Sequence, residues 1–393
     1  MKYVEKAVEL TKKLIAIESS NPGKLETAVG DFLYQRLQKT ADLAERMEVQ
    51  PGRYNLRAKL QGGKEGPELI FICHMDTVTI GEGWIKPPLK AREEDGRIYG
   101  RGACDMKSGL ACALAAFEEA AGWERPFLRT LTLILTVDEE GAMAGVEKAL
   151  EAGWIKENDY VLDMEPTDGK IRVSHKGRIW FLLEVQGVTA HASTPWKGAD
   201  AIAAAAEMIS YIRKRVSDTP VHKEMGGSTV TFGMIEGGYQ PYVVPDRCKV
   251  TIDMRLAPPM DGKAAAAVLQ EAIAYGEAQV QGCRGSFEIT GEWPYVEKDE
   301  SSALLAALKK AVQDMGEEPY TDVFPGYTDT AVIAGRLGNS NCMSYGPGDL
   351  EAAHKPDEYV PIKDIDRCVR VLVQLEKNLM TGNRHRKTDR REL

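Results

Sequence analysis

The sequence predicts an α/β protein: a mainly parallel sheet, interrupted in the middle of the chain by a small inserted α+β domain. Three observations predict it. Short continuous apolar runs alternate with helical patterns from residue 1 to 176. The rhythm then changes to β-α-β-β-α-β over residues 177–291, and the first rhythm resumes over 292–393. Strands that are apolar on both faces and separated by helices belong to parallel sheets covered on both sides. The middle order is that of a split-βαβ, ferredoxin-like sandwich. A length of 393 residues accommodates two domains and a large core without disulfides.

The elements follow from the N-terminus. Val4, Val8, Thr11 and Ile15 share one helical face. Leu69–Cys73 is an apolar run that ends at His74, and Ser108–Ala121 is a helix stopped by Gly122. Leu131–Val137 is a second apolar run, ending in Asp138-Glu139-Glu140; Ala142–Ala152 is helical up to Gly153, and Tyr160–Leu162 is a short strand before Glu165. In the middle segment Arg178–Val185, Ser228–Ile235, Lys249–Leu256 and Ser286–Thr290 read as strands. Ala199–Val216 and Gly262–Ala278 read as helices. Beyond it, Ser301–Met315 is a helix and Asn341–Ser344 a strand. Ile362–Met380 is a helix with Ile362, Ile365, Val369, Leu372 and Leu379 on one side. An insertion of this kind requires His354 to return from far downstream to meet His74.

Composition narrows the function. A net charge of −9 argues against nucleic-acid and anionic-membrane partners. No run approaches the ~18 apolar residues of a membrane span. Lys2, Glu5, Lys6, Glu9, Lys12 and Lys13 break up any signal-peptide core. Seven scattered cysteines without a CxxC pair read as reduced thiols, which places the protein in the cytoplasm. Arg384, Arg386, Lys387, Arg390 and Arg391 read as a solvated tail.

A set of carboxylates and histidines recurs at strand ends, where an open α/β sheet places its chemistry. They are His74 and Asp76, Asp105, Asp138-Glu139-Glu140, Glu165 and His354. Two histidines with several carboxylates form a ligand set for Zn²⁺ or a similar divalent ion. His74 and Asp76, two residues apart, share a face in extended backbone. Asp76 fits the acceptor that fixes a ligating histidine's ring better than it fits a ligand. Alone, this motif equally reads as a polar loop. Asp105, between a Gly-rich turn and a helix, is suited to bridge two cations through its two oxygens; it is equally an N-cap, as is Ser108. Three adjacent acids repel one another unless cations or protons compensate. One glutamate of the pair Glu139-Glu140 is then free to bind metal while its neighbour serves as general base toward an attacking water. Glu165 and His354 complete a count for two metals; taken singly, each reads as an ordinary loop residue. His175 reads as structural or solvated, and His222 and His385 carry no functional assignment.

In order and spacing, CHMDTV, GRGACDMKSG, VDEEG, MEPT and GPGDLEAAHKPDEYV resemble the M20 metallopeptidase family, across nearly the whole chain. The resemblance implies a two-metal catalytic domain with an inserted lid and dimerisation domain. It implies two Zn²⁺ ions bridged by Asp105, with Co²⁺ or Mn²⁺ as alternatives. His74 and Glu165 would complete one site, and Glu140 and His354 the other. Glu139 would be the general base and Asp76 the residue that orients His74. The lid motif GVTAHASTP implies that His191 crosses a homodimer interface to a partner's active site. IDMRLAPP implies that Arg255 grips a substrate carboxylate, and GYTDT places Thr328 and Asp329 near substrate. One departure stands out: Tyr242, in QPYVVP, occupies a place where the family often carries Asn. A phenol cannot reproduce an amide's donor and acceptor pair.

The expected activity is hydrolysis of the amide of an N-acyl-amino acid or short peptide, releasing a free amino acid. A dipeptidase or carboxypeptidase of the same family breaks the same kind of bond. A non-catalytic binding protein would have lost the base or a ligand, and none of the matching positions is altered.

Overall fold

The computed structural model describes residues 2–63 and 65–381; the basic tail and His385 lie outside the described residues. The chain divides into two compact units. One comprises Met1–Val173, Lys298–Phe324 and Thr328–Leu393; the other comprises Ser174–Glu297 with Pro325–Tyr327. The division falls at 173/174 and 297/298 rather than at the expected 176/177 and 291/292, and a three-residue loop joins the inserted unit.

The first unit is built on an eight-stranded sheet. Its order is Leu43–Gln50, Arg53–Leu60, Leu131–Thr136, Leu69–His74, Tyr160–Asp163, Cys342–Ser344, Ile171–His175 and Thr321–Phe324. The central four strands run parallel. Arg53–Leu60 and Ile171–His175 flank them antiparallel. Leu69–His74 and Leu131–Thr136 are buried at every residue, as their unbroken apolar sequences require. The helix Lys107–Ala121 packs against Lys2–Ile15 and Ile362–Met380, and twelve of its fifteen residues are buried. Ala- and Gly-rich composition permits this close approach. In the first helix the buried stripe is Ala7, Leu10, Thr11, Leu14 and Ile15, with Val4 and Val8 at its half-buried margin.

The hairpin Leu43–Leu60, the helices Thr27–Leu37 and Asp329–Leu337, and the short strands Arg92–Glu94, Arg97–Tyr99, Ile171–His175, Thr321–Phe324 and Tyr359–Pro361 go beyond the sequence reading. The hairpin did carry a signal, the Pro51-Gly52 turn between alternating runs, with Gly52 at φ +77°.

The second unit has four antiparallel strands in the order Thr229–Gly237, Arg247–Leu256, Gly177–Gln186, Arg284–Trp293. Ile179, Phe181, Leu183 and Val185, with Cys248, Val250, Ile252 and Met254, form a separate core with the helices Ala201–Ser217 and Gly262–Gln279. Alternation along the strands sets this: the other residues face away from the helices. Asp200 and Asp261 cap the two helices, accepting from Ala203 N and Ala264 N at 2.9 and 2.8 Å. All seven cysteines are free and buried. No helix among the described residues is long and apolar enough to cross a membrane.

Glu376 is discordant in the apolar stripe of Ile362–Met380. It is fully buried, and neither carboxyl oxygen has a hydrogen-bond partner among the described residues. Burial, reinforced by Glu119, pushes its pKa well above the ordinary value. The folded chain therefore keeps a proton that the unfolded chain loses, and stability falls as pH rises above the usual carboxylate range. Glu376→Leu is expected to stabilise the protein by about 1–3 kcal/mol at pH 8, with the gain shrinking toward pH 4.5. Urea unfolding at several pH values checks this; a gain that grows on acidification would contradict it.

Candidate active site

The four parallel strands each deliver a candidate residue at or beyond their carboxyl ends. His74 is the last residue of Leu69–His74. Asp138-Glu139-Glu140 follows Leu131–Thr136, Glu165 follows Tyr160–Asp163, and the loop after Cys342–Ser344 leads to His354, held at φ +62°. Asp105 comes from the turn before Lys107–Ala121, and its peptide bond to Met106 is cis. Neither Asp105 nor Ser108 caps that helix; Met106 occupies the cap position without a side-chain bond, which removes the N-cap alternative for both. Two glycines of the motifs admit the backbone that carries Glu165. A Cβ at Gly109 would stand 2.0 Å from the Met164 carbonyl oxygen, and one at Gly346 2.4 Å from that of Glu165.

Asp105 lies between the two histidines. Its Oδ1 is 3.1 Å from His74 Nε2 and its Oδ2 is 3.2 Å from His354 Nε2. Glu165 Oε1 is 3.6 Å from His74 Nε2, and Glu140 Oε1 is 3.0 Å from His354 Nε2. The result is two groups, His74–Asp105–Glu165 and Asp105–Glu140–His354, in each of which the donor atoms lie within 4.8 Å of one another. Glu139 belongs to neither group.

Asp76 faces His74 with both its backbone and its side chain. The contact on His74 Nδ1 is the backbone carbonyl of Asp76, at 3.0 Å, while the carboxylate stands 3.6 Å away. The carboxylate also accepts from the backbone N–H groups of Glu139 and Glu140, at 3.3 and 3.2 Å, and from Asn21 Nδ2 at 3.0 Å. One residue thus fixes both the ring of His74 and the acidic turn. Asp138 is not part of the uncompensated charge: Arg53 Nη1 donates to it at 2.9 Å while the same guanidinium pairs with Glu26. Asn21, Arg53 and Glu26 lie far from the motifs in sequence, and nothing local marks them.

The charge state follows from crowding. Burial, then repulsion from neighbouring acids, raises Glu140 and drives Glu139 and Glu165 well above the usual carboxylate range. Burial also opposes ionisation of Asp105, but the bonds to His354 and His74 outweigh it and hold its carboxyl well below that range. Bonds to Asp105 and Glu140 push His354 up to about 10. Such a cluster is short of positive charge. Its donors are oxygens and imidazole nitrogens, the set that Zn²⁺, Co²⁺ and Mn²⁺ accept, so the residues fit divalent ions.

Asp329 is buried, with its Oδ2 accepting from Thr136 at 2.7 Å, and burial pushes its carboxyl up to about 7. Thr328 bonds Thr330, which donates to Asp163 at 2.7 Å. Both residues therefore belong to a buried network beneath the strand ends.

The remaining candidates lie in the second unit. His191 is exposed on a loop, its Nδ1 2.7 Å from Ser193 Oγ. That loop bridges to the segment carrying Tyr242, whose carbonyl accepts from Ala192 N at 3.0 Å. Arg255 forks onto Asp253, at 2.8 and 3.3 Å, and Trp180 Nε1 donates to the same carboxylate at 2.6 Å. His175 is buried, edge-on to Tyr327 at 6.3 Å, so the structural alternative describes it and the solvated one does not.

Residues 70–378 match the model of peptidase family M20/M25/M40. A probable succinyl-diaminopimelate desuccinylase of Staphylococcus aureus (strain N315) is 25% identical over 383 residues, covering 90% of this chain and 92% of the relative. An acetylornithine deacetylase of Myxococcus xanthus is 28% identical over 371 residues, with the same coverage. The crystal structure of aminopeptidase PepT from Bacillus cereus ATCC 10987 superposes with a TM-score of 0.78 at 26% identity, covering 95% of this chain and 97% of that one. With the match to the family model spanning most of its length, the chain belongs to peptidase family M20/M25/M40 and is a hydrolase of amide or peptide bonds.

Proposed function

We propose that the protein is a cytoplasmic two-zinc amidohydrolase that releases a free amino acid from an N-acyl-amino acid or a short peptide. The observation that carries this reading is Asp105, whose two oxygens each face a different histidine, each within a separate three-ligand group. His74, Asp105 and Glu165 would hold one ion, and Asp105, Glu140 and His354 the other. When bound, the ions supply positive charge that polarises the scissile carbonyl and makes a water acidic.

Glu139 is the general base. It adjoins a ligand without being one, and its turn is fixed through the backbone by Asp76. It takes the proton from the attacking water and returns it to the leaving amine. Asp76 keeps His74 in one ring orientation through its carbonyl. Asp329 and Thr328 act near substrate by holding the strand ends through Thr136, Thr330 and Asp163. Arg255 recognises the substrate carboxylate through its planar fork, a role that requires it to exchange its present partner Asp253 for the substrate. His191 stabilises the oxyanion from across a homodimer formed by the inserted unit, whose strand Thr229–Gly237 leaves a sheet edge available for pairing. A dipeptidase or carboxypeptidase differs only in the group acylating the amine. Parallel assays with N-acetyl, N-succinyl and dipeptide substrates separate the two, and hydrolysis of none of them would sink the reading.

Three outcomes are expected. Glu139→Gln lowers kcat by about 10²–10⁴ while two metals per chain remain, whereas His354→Ala loses metal; elemental analysis beside the rate assay distinguishes them, and an active Glu139→Gln chain would reverse the assignment of Glu139 and Glu140. Arg255→Lys raises KM strongly for substrates with a free α-carboxylate and barely changes the poor turnover of amidated ones; equal effects on both would remove Arg255 from carboxylate binding. Mixed dimers of His191→Ala and Glu139→Ala chains recover part of the activity that neither homodimer has. A fully active monomer would end the trans role of His191 and leave the metal chemistry standing.

A further inference from the structure

Glu358 lies four residues beyond His354 and is 1% exposed, and it belongs to neither candidate ligand group. Its Oε1 accepts from the backbone N–H groups of Cys104 and Asp105, at 2.8 and 3.1 Å. Its Oε2 accepts from Arg101 Nη1 at 2.5 Å, and its own carbonyl accepts from Gly100 N at 2.9 Å. Arg101 is itself buried and donates through Nη2 to the carbonyl of Ile80 at 3.0 Å. One side chain thus fastens the turn that carries Asp105 to the loop that carries His354. The His354 ring is half exposed, and its only polar contacts among the described residues are Asp105 and Glu140. Where that ring stands is set by its loop.

We propose that Glu358 is a positioning residue: it fixes the spacing between the Asp105 turn and the His354 loop, and so sets the affinity of the Asp105–Glu140–His354 group for its divalent cation. The inference rests on the two-metal reading above. It is selective, because two of the three ligands in that group hang on Glu358. In His74–Asp105–Glu165 only Asp105 does; His74 and Glu165 are held by their strand ends and by the glycine contacts at Met164 and Glu165.

The test uses the full chain, stripped of metal and titrated with Zn²⁺ against a chromophoric chelator, and with Co²⁺ followed by its visible absorption. Wild type is expected to take up two ions. In Glu358→Ala one binding step weakens by about 10–100-fold and the other changes little, with the Co²⁺ spectrum of the retained site unchanged. Glu358→Gln keeps an acceptor for the two N–H groups, and paired with Arg101→Met it leaves no lone buried cation. This double variant is expected to restore both steps to near wild-type affinity. If Glu358→Ala does not fold, Arg101→Met combined with Glu358→Ala removes the stranded guanidinium and carries the same expectation as the single variant. Two ions bound at wild-type affinity by a folded Ala variant would overturn the proposal. So would equal weakening of both steps, which is the mark of general destabilisation, or failure of the Gln double variant to restore them. Failure of wild type to bind any divalent ion would instead overturn the metal reading itself.

Discussion

Five carboxylates and two imidazoles share the space at the ends of four parallel strands, and the rest of the catalytic unit answers to that concentration of negative charge. Like charges at such distances in a poorly solvated site cannot all stay ionised. Glu139, Glu140 and Glu165 are driven toward their neutral forms, while Asp105 is kept anionic by the two histidines it touches. Divalent ions, held by these residues as proposed, would supply the missing positive charge in place of shared protons. Glu139, proposed as the base, sits in the same crowding: burial and its acidic neighbours favour its protonated form, and it belongs to neither ligand group.

Holding such a cluster together takes architecture outside it. A parallel sheet brings four carboxyl ends to one edge, but it does not set the distances between the loops that follow. Those distances come from buried polar bonds between segments remote in sequence. Asn21 spans Asp76 and Asp138. Arg53 ties Asp138 to Glu26. Glu358 with Arg101 ties the Asp105 turn to the His354 loop. Buried ion pairs add little net stability, since desolvation offsets attraction. Their value here is geometric: each fixes one backbone against another at a place where apolar packing would tolerate slippage.

What could be seen in the sequence divides along the same line. His74, the acidic run and Glu165 were visible because each closes or follows an unbroken apolar run, and such runs mark buried parallel strands whatever the tertiary context. The β-α-β-β-α-β order of the inserted unit was visible because its strands alternate between buried and outward residues and are separated by two long helical patterns. Asp105 was ambiguous because an acid before a helix is as good a cap as a ligand, and only the position of both histidines decides. The roles of Asn21, Arg53 and Glu358 were not visible: neither a strand nor a loop pattern marks which polar side chain reaches a partner tens or hundreds of residues away. Short edge strands such as Arg92–Glu94 and Tyr359–Pro361 escaped for a related reason, since three residues are too few to show an alternation.

The two units differ in what their local chemistry constrains. In the catalytic unit His74, Asp105, Glu140, Glu165 and His354 lie within ion-pair reach of one another, so a substitution at one position is felt by several. In the inserted unit the candidates stand on a sheet whose stability comes from the opposite face, where Ile179, Phe181, Leu183 and Val185 pack on the helices. Residues such as Arg255, Trp180 and Asp253 can therefore change without loss of that core. Tyr242 lies on an exposed loop that is fastened to the His191 segment by backbone bonds, so its side chain too is free of structural duty. On the proposed reading, the metal ligands and the base sit among residues that the fold cannot easily alter, while Arg255 and His191 stand where it can. On that reading the motifs at the strand ends mark the reaction, and substitutions at the exposed residues of the inserted unit test for substrate preference.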